Sequence, residues 1–294
     1  MTVMRSMLYV PGNDKKALEE ALTFNADVIV LDLEDLVPPA EKEKARQMVR
    51  ENIKLCGSTG AEAWVRVNSW ETNMTNDDLE AVVYAGLKGI NLTKVGCAAD
   101  VQRLDWRLEE LERNRGLETG SIKICLLVET ALGIVNAYQS CAASPRVVAA
   151  IFGAVDYTRD MQVKLTSEAV EQQFARGYLG VAAKAARILA IDAPYLSYLD
   201  IPGFERNAAE GRQMGYKGRM IVHPNLVEAS NRLYSPDPAD VAWAKDIVKV
   251  FEEEAIAKGK AAVSFNNKMV DTPVYLNALD LLKAQSEIEA RLKK

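Results

Sequence analysis

The sequence predicts an α/β protein, a (β/α)8 TIM barrel with a helical and hairpin extension at its C-terminus. Three observations lead there. Short apolar runs that are nearly continuous, such as Val28–Leu33 and Ile122–Val128, read as parallel strands covered on both faces. Eight such runs alternate with segments of helical spacing over about 230 residues, and 294 residues is an ordinary length for such a barrel built as one domain. Strands end repeatedly in charged residues, at Glu34 and Asp35, Arg66, Lys94, Glu129 and Asp156, and the C-terminal strand ends of such a barrel form its active-site mouth.

Taken in order, Ser6–Val10 is a short strand stopped by Pro11-Gly12, and Asn13 or Asp14 caps a helix running through Leu22. Val28–Leu33 is the second strand; after Pro38-Pro39, Ala40–Ile53 is a charged, solvated helix. Trp64–Val67 is the third strand, and Thr75–Ala85 a helix with a capping pattern at its start. Gly89–Val95 and Ile122–Val128 flank a helix over Asp100–Asn114, and Val147–Phe152 is the sixth strand. A long helix is expected over Ser167–Leu189, a weaker seventh strand over Ala193–Tyr198, a helix over Ile201–Met214 and an eighth strand over Gly218–Val222. Ser235-Pro236-Asp237-Pro238 marks a boundary, so the domains read as a barrel over residues 1–234 and an extension over 235–294. The extension holds a helix, Ala239–Lys258, with Trp243, Ile247, Val250 and Phe251 on its apolar stripe. A hairpin follows around Asn266-Asn267, and then a helix through Ala290. It is expected to be too small to hold a core alone, and to pack on the barrel or on a neighbouring subunit as a lid.

The most informative stretch is residues 123–160, where each of two strands is followed by a carboxylate, Glu129 and then Asp156, with helical spacing over Leu132–Ala142 between them. Parallel strands bring both acids to one end. Two carboxylates held there with no lysine nearby repel each other, and a hard divalent cation relieves that repulsion, which makes Glu129 and Asp156 candidate Mg²⁺ ligands. The alternative is that each acid only caps the next helix.

Composition narrows the classes. A net charge of −5 argues against a nucleic-acid partner, and no apolar run approaches a membrane span. Four cysteines without a CxxC pair suit a reduced cytoplasm, and the single histidine, His223, excludes sites with several histidine ligands. Acid–base work then falls mainly on carboxylates, Lys, Tyr or metal-bound water. His223 itself reads as a hydrogen-bonded loop residue. Lys94 either contacts an anionic group of a ligand or pairs with Glu34 or Asp35; Arg5 and Lys16 are weaker phosphate candidates.

RSMLYVPGND, VIVLDLEDLVPPAEKEKAR, WVRVN, VETALGI, GAVDYTRD and NNKMVDTP, in that order along nearly the whole chain, resemble the citrate lyase beta-subunit-like proteins. These belong to the Mg²⁺-dependent aldolase superfamily with malyl-CoA and citramalyl-CoA lyases. The resemblance implies that Glu129 and Asp156 hold Mg²⁺, that Arg66 grips the carboxylate of a 2-oxo acid, and that Glu34 and Asp35 lie near the metal through water. It further implies that Asp271 is the acid/base group, carried over a neighbouring subunit's site in a homotrimer. The expected reaction is cleavage of a 3-hydroxyacyl-CoA thioester to a 2-oxo acid and acetyl-CoA, with Glu129 also touching substrate. Two alternatives stand: the citryl-ACP lyase subunit of a citrate lyase complex, whose partner is an acyl carrier protein, and a catalytically silent binding barrel. Ala154-Val155 precedes Asp156 where the family commonly has an acid, so an acidic neighbour of the ligand is missing.

Overall fold

The computed structural model describes residues 3–166 and 168–292. Its chain divides into two compact units, Met4–Arg232 and a second that begins at Leu233 and includes Val3.

In the first unit eight parallel strands, β1 (Ser6–Pro11), β2 (Val28–Asp32), β3 (Glu62–Val67), β4 (Gly89–Leu92), β5 (Lys123–Val128), β6 (Val147–Phe152), β7 (Leu189–Asp192) and β8 (Gly218–Ile221), pair in sequence order, and β8 returns to β1. This closed barrel is the predicted fold. The helices between strands are α1 (Lys15–Ala21), α2 (Lys42–Gly57), α3 (Thr75–Val82), α4 (Ala98–Asn114), α5 (Ala131–Val135), α6 (Ala137–Cys141), α7 (Ala154–Asp160), α8 (Gln173–Ala185) and α9 (Ile201–Gln213), with α10 (Val227–Leu233) after β8. No helix among the described residues is long and apolar enough to cross a membrane.

Alternation along the strands explains the interior. Met7 and Tyr9, Val28 and Val30, Trp64, Cys125 and Leu127, Ala149 and Ile151, Leu189 and Ile191, and Met220 form one buried cluster, alternate residues where a strand gives two, with seven of the eight strands contributing. Trp64 is wholly buried because its cross-strand neighbour is Gly89: a Cβ there would stand 2.3 Å from the indole. Before the strands begin, buried ion pairs tie the other end of the barrel. Arg5 grips Asp27 at 2.8 and 2.9 Å, and Arg146 grips Glu112 at 2.7 and 2.8 Å. Arg5 therefore lies at the end opposite the mouth, which removes it as a phosphate candidate.

Several boundaries differ from expectation. The seventh strand is Leu189–Asp192 and not Ala193–Tyr198, because α8 stops at Ala185 and Arg187 reverses the chain at φ 61°. Within the expected long helix, Ser167 lies outside the described residues and regular helix begins at Gln173 after a 3-10 turn at Val170–Gln172. Leu132–Ala142 is two short helices, and α7 was unexpected. Thr75 does not cap α3: its hydroxyl donates to the Asn68 carbonyl.

The second unit holds α11 (Pro238–Phe251), a π-turn over Glu252–Ile256, the antiparallel hairpin β9 (Ala262–Phe265) and β10 (Lys268–Asp271), and α12 (Thr272–Leu292). Asn266 and Asn267 take φ of 49° and 61° at its tip, as an Asn-rich two-residue hairpin turn requires. Contrary to expectation this segment has a small core: Ala244, Ile247, Phe251, Ala255, Val270 and Ala278 are buried together, and Phe251 stacks on Tyr275 at 4.8 Å. Ala244 takes the core position on α11 that the stripe assigned to Trp243, which is exposed.

Candidate active site

The same alternation that fills the barrel delivers charge to its mouth. Asp32 is in phase with Val28 and Val30, Arg66 with Trp64, and Glu129 with Cys125 and Leu127. Asp32 and Arg66 are direct cross-strand partners. Arg66 donates from Nε and Nη2 to the two Asp32 oxygens at 2.6 and 2.5 Å, a two-pronged pair with Asp32 fully buried. Asp32 also accepts from the backbone of Glu34 and Leu36, both at 2.9 Å, and so fixes the loop after β2. Burial opposes the Arg66 charge, but Asp32 and Glu34 outweigh it and hold the guanidinium protonated. The Tyr9 ring lies 5.2 Å from the guanidinium carbon, and its hydroxyl donates to Asn91.

Glu34 stands between two cations. One oxygen is 3.1 Å from Arg66 Nη1 and the other accepts from Lys94 Nζ at 2.5 Å. Burial still raises its pKa against both of them. Lys94 has φ 51°, uncommon for a residue with a side chain, and in that conformation its N–H donates to Glu129 Oε1 at 2.9 Å. Glu129 is 3% exposed, and burial, with Glu34 next, pushes its carboxyl up to about 8 against the pull of Lys94, with Asp156 adding to the rise.

Gly153 brings Asp156 to this group. A Cβ on Gly153 would lie 2.4 Å from the Glu129 Cβ and 2.7 Å from its Oε2, so the backbone that starts α7 rests against the glutamate. Asp156 follows in the first turn of α7, about a quarter exposed, with the exposed Arg159 at 3.9 Å. Neither acid is a helix cap. Thr130 caps α5 by accepting from Gly133 N at 3.0 Å, Asp160 takes the Ala131 N–H at 2.7 Å, and α7 starts without a side-chain cap.

The structure thus brings together Arg66, Glu129, Asp156, Glu34 and Lys94. The premise that no lysine stands near the two acids is corrected: Lys94, remote in sequence, reaches Glu129 from the end of β4. Asp35 is exposed, and Lys16 lies exposed on α1. His223 is a loop residue, stacked on Tyr198 at 4.0 Å and accepting from Asn225 N at 3.3 Å. Asp271 belongs to the second unit, where it accepts from Val274 N at 3.2 Å at the start of α12. Sequence reasoning missed Asp32, Tyr9 and Asn91, and also the Lys42–Asn68–Asp78 group that ties the loops after β2 and β3. The available signal was an aspartate inside an apolar strand, in phase with its inward valines.

Magnesium fits this donor set. Fully ionised, Asp32, Glu34, Glu129 and Asp156 outnumber the buried Arg66 and the half-buried Lys94 by two charges, which one divalent ion balances. Among the described residues no group of three or more His, Cys, Asp or Glu side chains is placed to hold a metal ion. An ion held by the two carboxylates Glu129 and Asp156 would complete its shell with water and ligand oxygens, as Mg²⁺ prefers.

The chain is 35% identical over 279 residues to the citrate lyase subunit beta of Leuconostoc mesenteroides subsp. cremoris, covering 95% of this chain and 92% of that one. It is 29% identical over 297 residues to the mitochondrial citramalyl-CoA lyase of Homo sapiens, covering 98% and 87%. The solved structure of CitE from Mycobacterium tuberculosis in complex with magnesium, acetoacetate and coenzyme A is similar with a TM-score of 0.73 at 28% identity, covering 96% and 97% of the two chains. The sequence profile of the HpcH/HpaI aldolase/citrate lyase family matches residues 5–224, and with these relatives it shows that the chain belongs to that family.

Proposed function

We propose that this protein is a magnesium-dependent carbon–carbon lyase that cleaves a citramalyl-CoA or malyl-CoA type thioester to a 2-oxo acid and acetyl-CoA, and runs the reverse condensation. The observation that carries the reading is the pair Glu129 and Asp156, free of capping duty, beside a buried arginine at a barrel mouth. Glu129 and Asp156 would hold the ion. Bound there, magnesium supplies Lewis-acid stabilisation of negative charge on substrate oxygens. Arg66 binds the substrate carboxylate: Asp32 takes its Nε and Nη2 edge, and the Nη1 side faces Glu34 and the mouth. A guanidinium offers two parallel donors there, a geometry lysine lacks. Asp271, carried by a neighbouring copy in a homotrimer, would move the proton at the terminal carbon of the acetyl thioester. Barrel and extension act as catalytic domain and lid. Free cysteines at 56, 97, 125 and 141 suit a reducing cytoplasm.

A second reading is favoured by the 35% identity to a citrate lyase subunit beta: the acyl group is citryl, presented on an acyl carrier protein. One assay separates the two. Purified protein with Mg²⁺ is offered citramalyl-CoA, malyl-CoA and carrier-bound citryl thioester, and both the 2-oxo acid and the acetyl thioester are followed. Cleavage of a CoA substrate, lost with EDTA, supports the first reading. Turnover only on the carrier supports the second, and no cleavage of any of them refutes both in favour of a silent binding barrel.

A further inference from the structure

Lys94 makes two contacts that serve different ends. Its main-chain N–H holds Glu129 at 2.9 Å, and its ammonium holds Glu34 at 2.5 Å. Residue 94 makes both from a left-handed backbone at φ 51°, a strain that native structure retains where its surroundings dictate it. Glu34 meanwhile has two suitors. It sits 3.1 Å from Arg66 Nη1, longer than its bond to Lys94, while Asp32 already occupies the other edge of the guanidinium. Glu34 is 6% exposed, and the nearby Lys42 ammonium is already engaged by the Leu33 and Glu34 carbonyls and by Asn68, so without the Lys94 ammonium the carboxylate turns to Arg66; a buried carboxylate is strongly driven to pair.

We propose that Lys94 is a positioning residue that shares Glu34 with Arg66 and so loosens that carboxylate's hold on the outer edge of the guanidinium, which the substrate carboxylate can then take. This inference rests on the reading of Arg66 as the carboxylate-binding group. It assigns Glu34 the part of an internal competitor: a carboxylate of this chain that holds the substrate's place on Arg66 more tightly when Lys94 releases it.

The test uses the full-length protein, with calorimetric titration of Mg²⁺ and then of pyruvate, glyoxylate and oxaloacetate. Lys94→Met removes the ammonium and keeps most of the side-chain length; Lys94→Gly removes the side chain and adopts the left-handed backbone without strain. Both keep the N–H to Glu129, and the 2-oxo acids are titrated at saturating Mg²⁺, so that the loss of the ammonium's charge near Glu129 does not enter the comparison. The 2-oxo acid that wild type binds is expected to bind about tenfold or more weakly, the scale of one hydrogen bond to a charged group. Adding Glu34→Gln removes the competing charge and restores binding to near the wild-type value, which a merely structural role for Lys94 would not produce. Lys94→Arg, with its cation kept, stays near wild type. Unchanged 2-oxo acid affinity in Lys94→Met and Lys94→Gly, or no rescue by Glu34→Gln, overturns the inference while leaving Arg66 in its role. A wild-type protein that binds Mg²⁺ but none of the three 2-oxo acids overturns the Arg66 reading, and the inference with it.

Discussion

Replacing Gly153 by alanine tests the metal site by crowding alone. The backbone at Gly153 has φ −93°, open to any residue, so the substitution adds no torsional strain. Its single new carbon would stand 2.4 Å from the Glu129 Cβ and 2.7 Å from Glu129 Oε2, whereas carbon atoms in contact settle at about 3.5–4.0 Å. Relief needs a shift of about 1 Å or more on that scale. The Glu129 Cβ cannot supply it, because the backbone of β5 is laced between β4 and β6. The start of α7 moves instead and carries Asp156 with it, while the Glu129 carboxylate swings away from the added methyl. Overpacking of this kind costs about 1–3 kcal/mol of stability. The same shift falls directly on both proposed ligands, and a misplacement of about 1 Å can lower turnover about a hundredfold. Thermal melting, Mg²⁺ calorimetry and turnover on whichever thioester wild type cleaves read the three quantities separately. The expected variant is folded, modestly less stable, and weak in both metal binding and turnover. A Gly153→Ala protein that binds Mg²⁺ and turns over like wild type would refute the assignment of Glu129 and Asp156 as joint ligands.

Other predictions concern other parts of the molecule. Gly89→Ala is expected to be poorly folded, since the added carbon would lie 2.3 Å from the Trp64 ring inside a closed barrel; circular dichroism and melting check it, and adding Trp64→Leu should recover stability. Burial raises the Glu112 carboxyl, but the Arg146 fork and the N–H groups of Ile122 and Gly120 outweigh it and hold its pKa below the ordinary 4.5. Its contribution is therefore complete above that value and is lost as pH falls through the lower folded value. Glu112→Gln should cost about 3–5 kcal/mol near neutrality, the price of breaking a buried ion pair. In urea titrations that deficit should shrink as pH falls below 4.5 and wild type protonates its own carboxylate. Asp271→Asn should abolish turnover while leaving Mg²⁺ affinity intact; a variant keeping most of its kcat removes Asp271 from the chemistry.

Much of the barrel was legible because its signals are local. Val28–Asp32, Lys123–Val128 and Val147–Phe152 are apolar runs bounded by polar residues, and length with composition suffices to read them. The seventh strand was displaced because its boundary is not written locally. The apolar face of α8 runs on into Ile188–Ile191, and the break comes from Arg187 at φ 61°, a residue type that carries no stop signal. The same difficulty hid α7, whose seven residues are too few for helical periodicity to emerge. In the second unit the turn at Asn266-Asn267 was plain, whereas the core position went to Ala244 and not Trp243, a choice that packing makes and hydrophobicity does not.

At the mouth the acids and Arg66 were readable from strand ends, but their pairing was not, because it is set by register between strands. Asp32 meets Arg66 only because β2 and β3 align those two residues, and Lys94 meets Glu129 only because residue 94 takes a left-handed turn after β4. The register produces an order of charge that no single segment contains. Asp32 pairs with Arg66, Arg66 with Glu34 and Glu34 with the Lys94 ammonium, whose charge also acts on Glu129, so sign alternates along the row. Each interior charge has an opposite charge on both sides. The row ends at Glu129, whose next neighbour is another carboxylate, Asp156; burial first, then Glu34, and Asp156 after them drive its pKa up to about 8. Arg159, exposed and 3.9 Å from Asp156, is too solvated to complete the row. The alternation lacks one buried positive charge at that end, and the proposed magnesium ion supplies it.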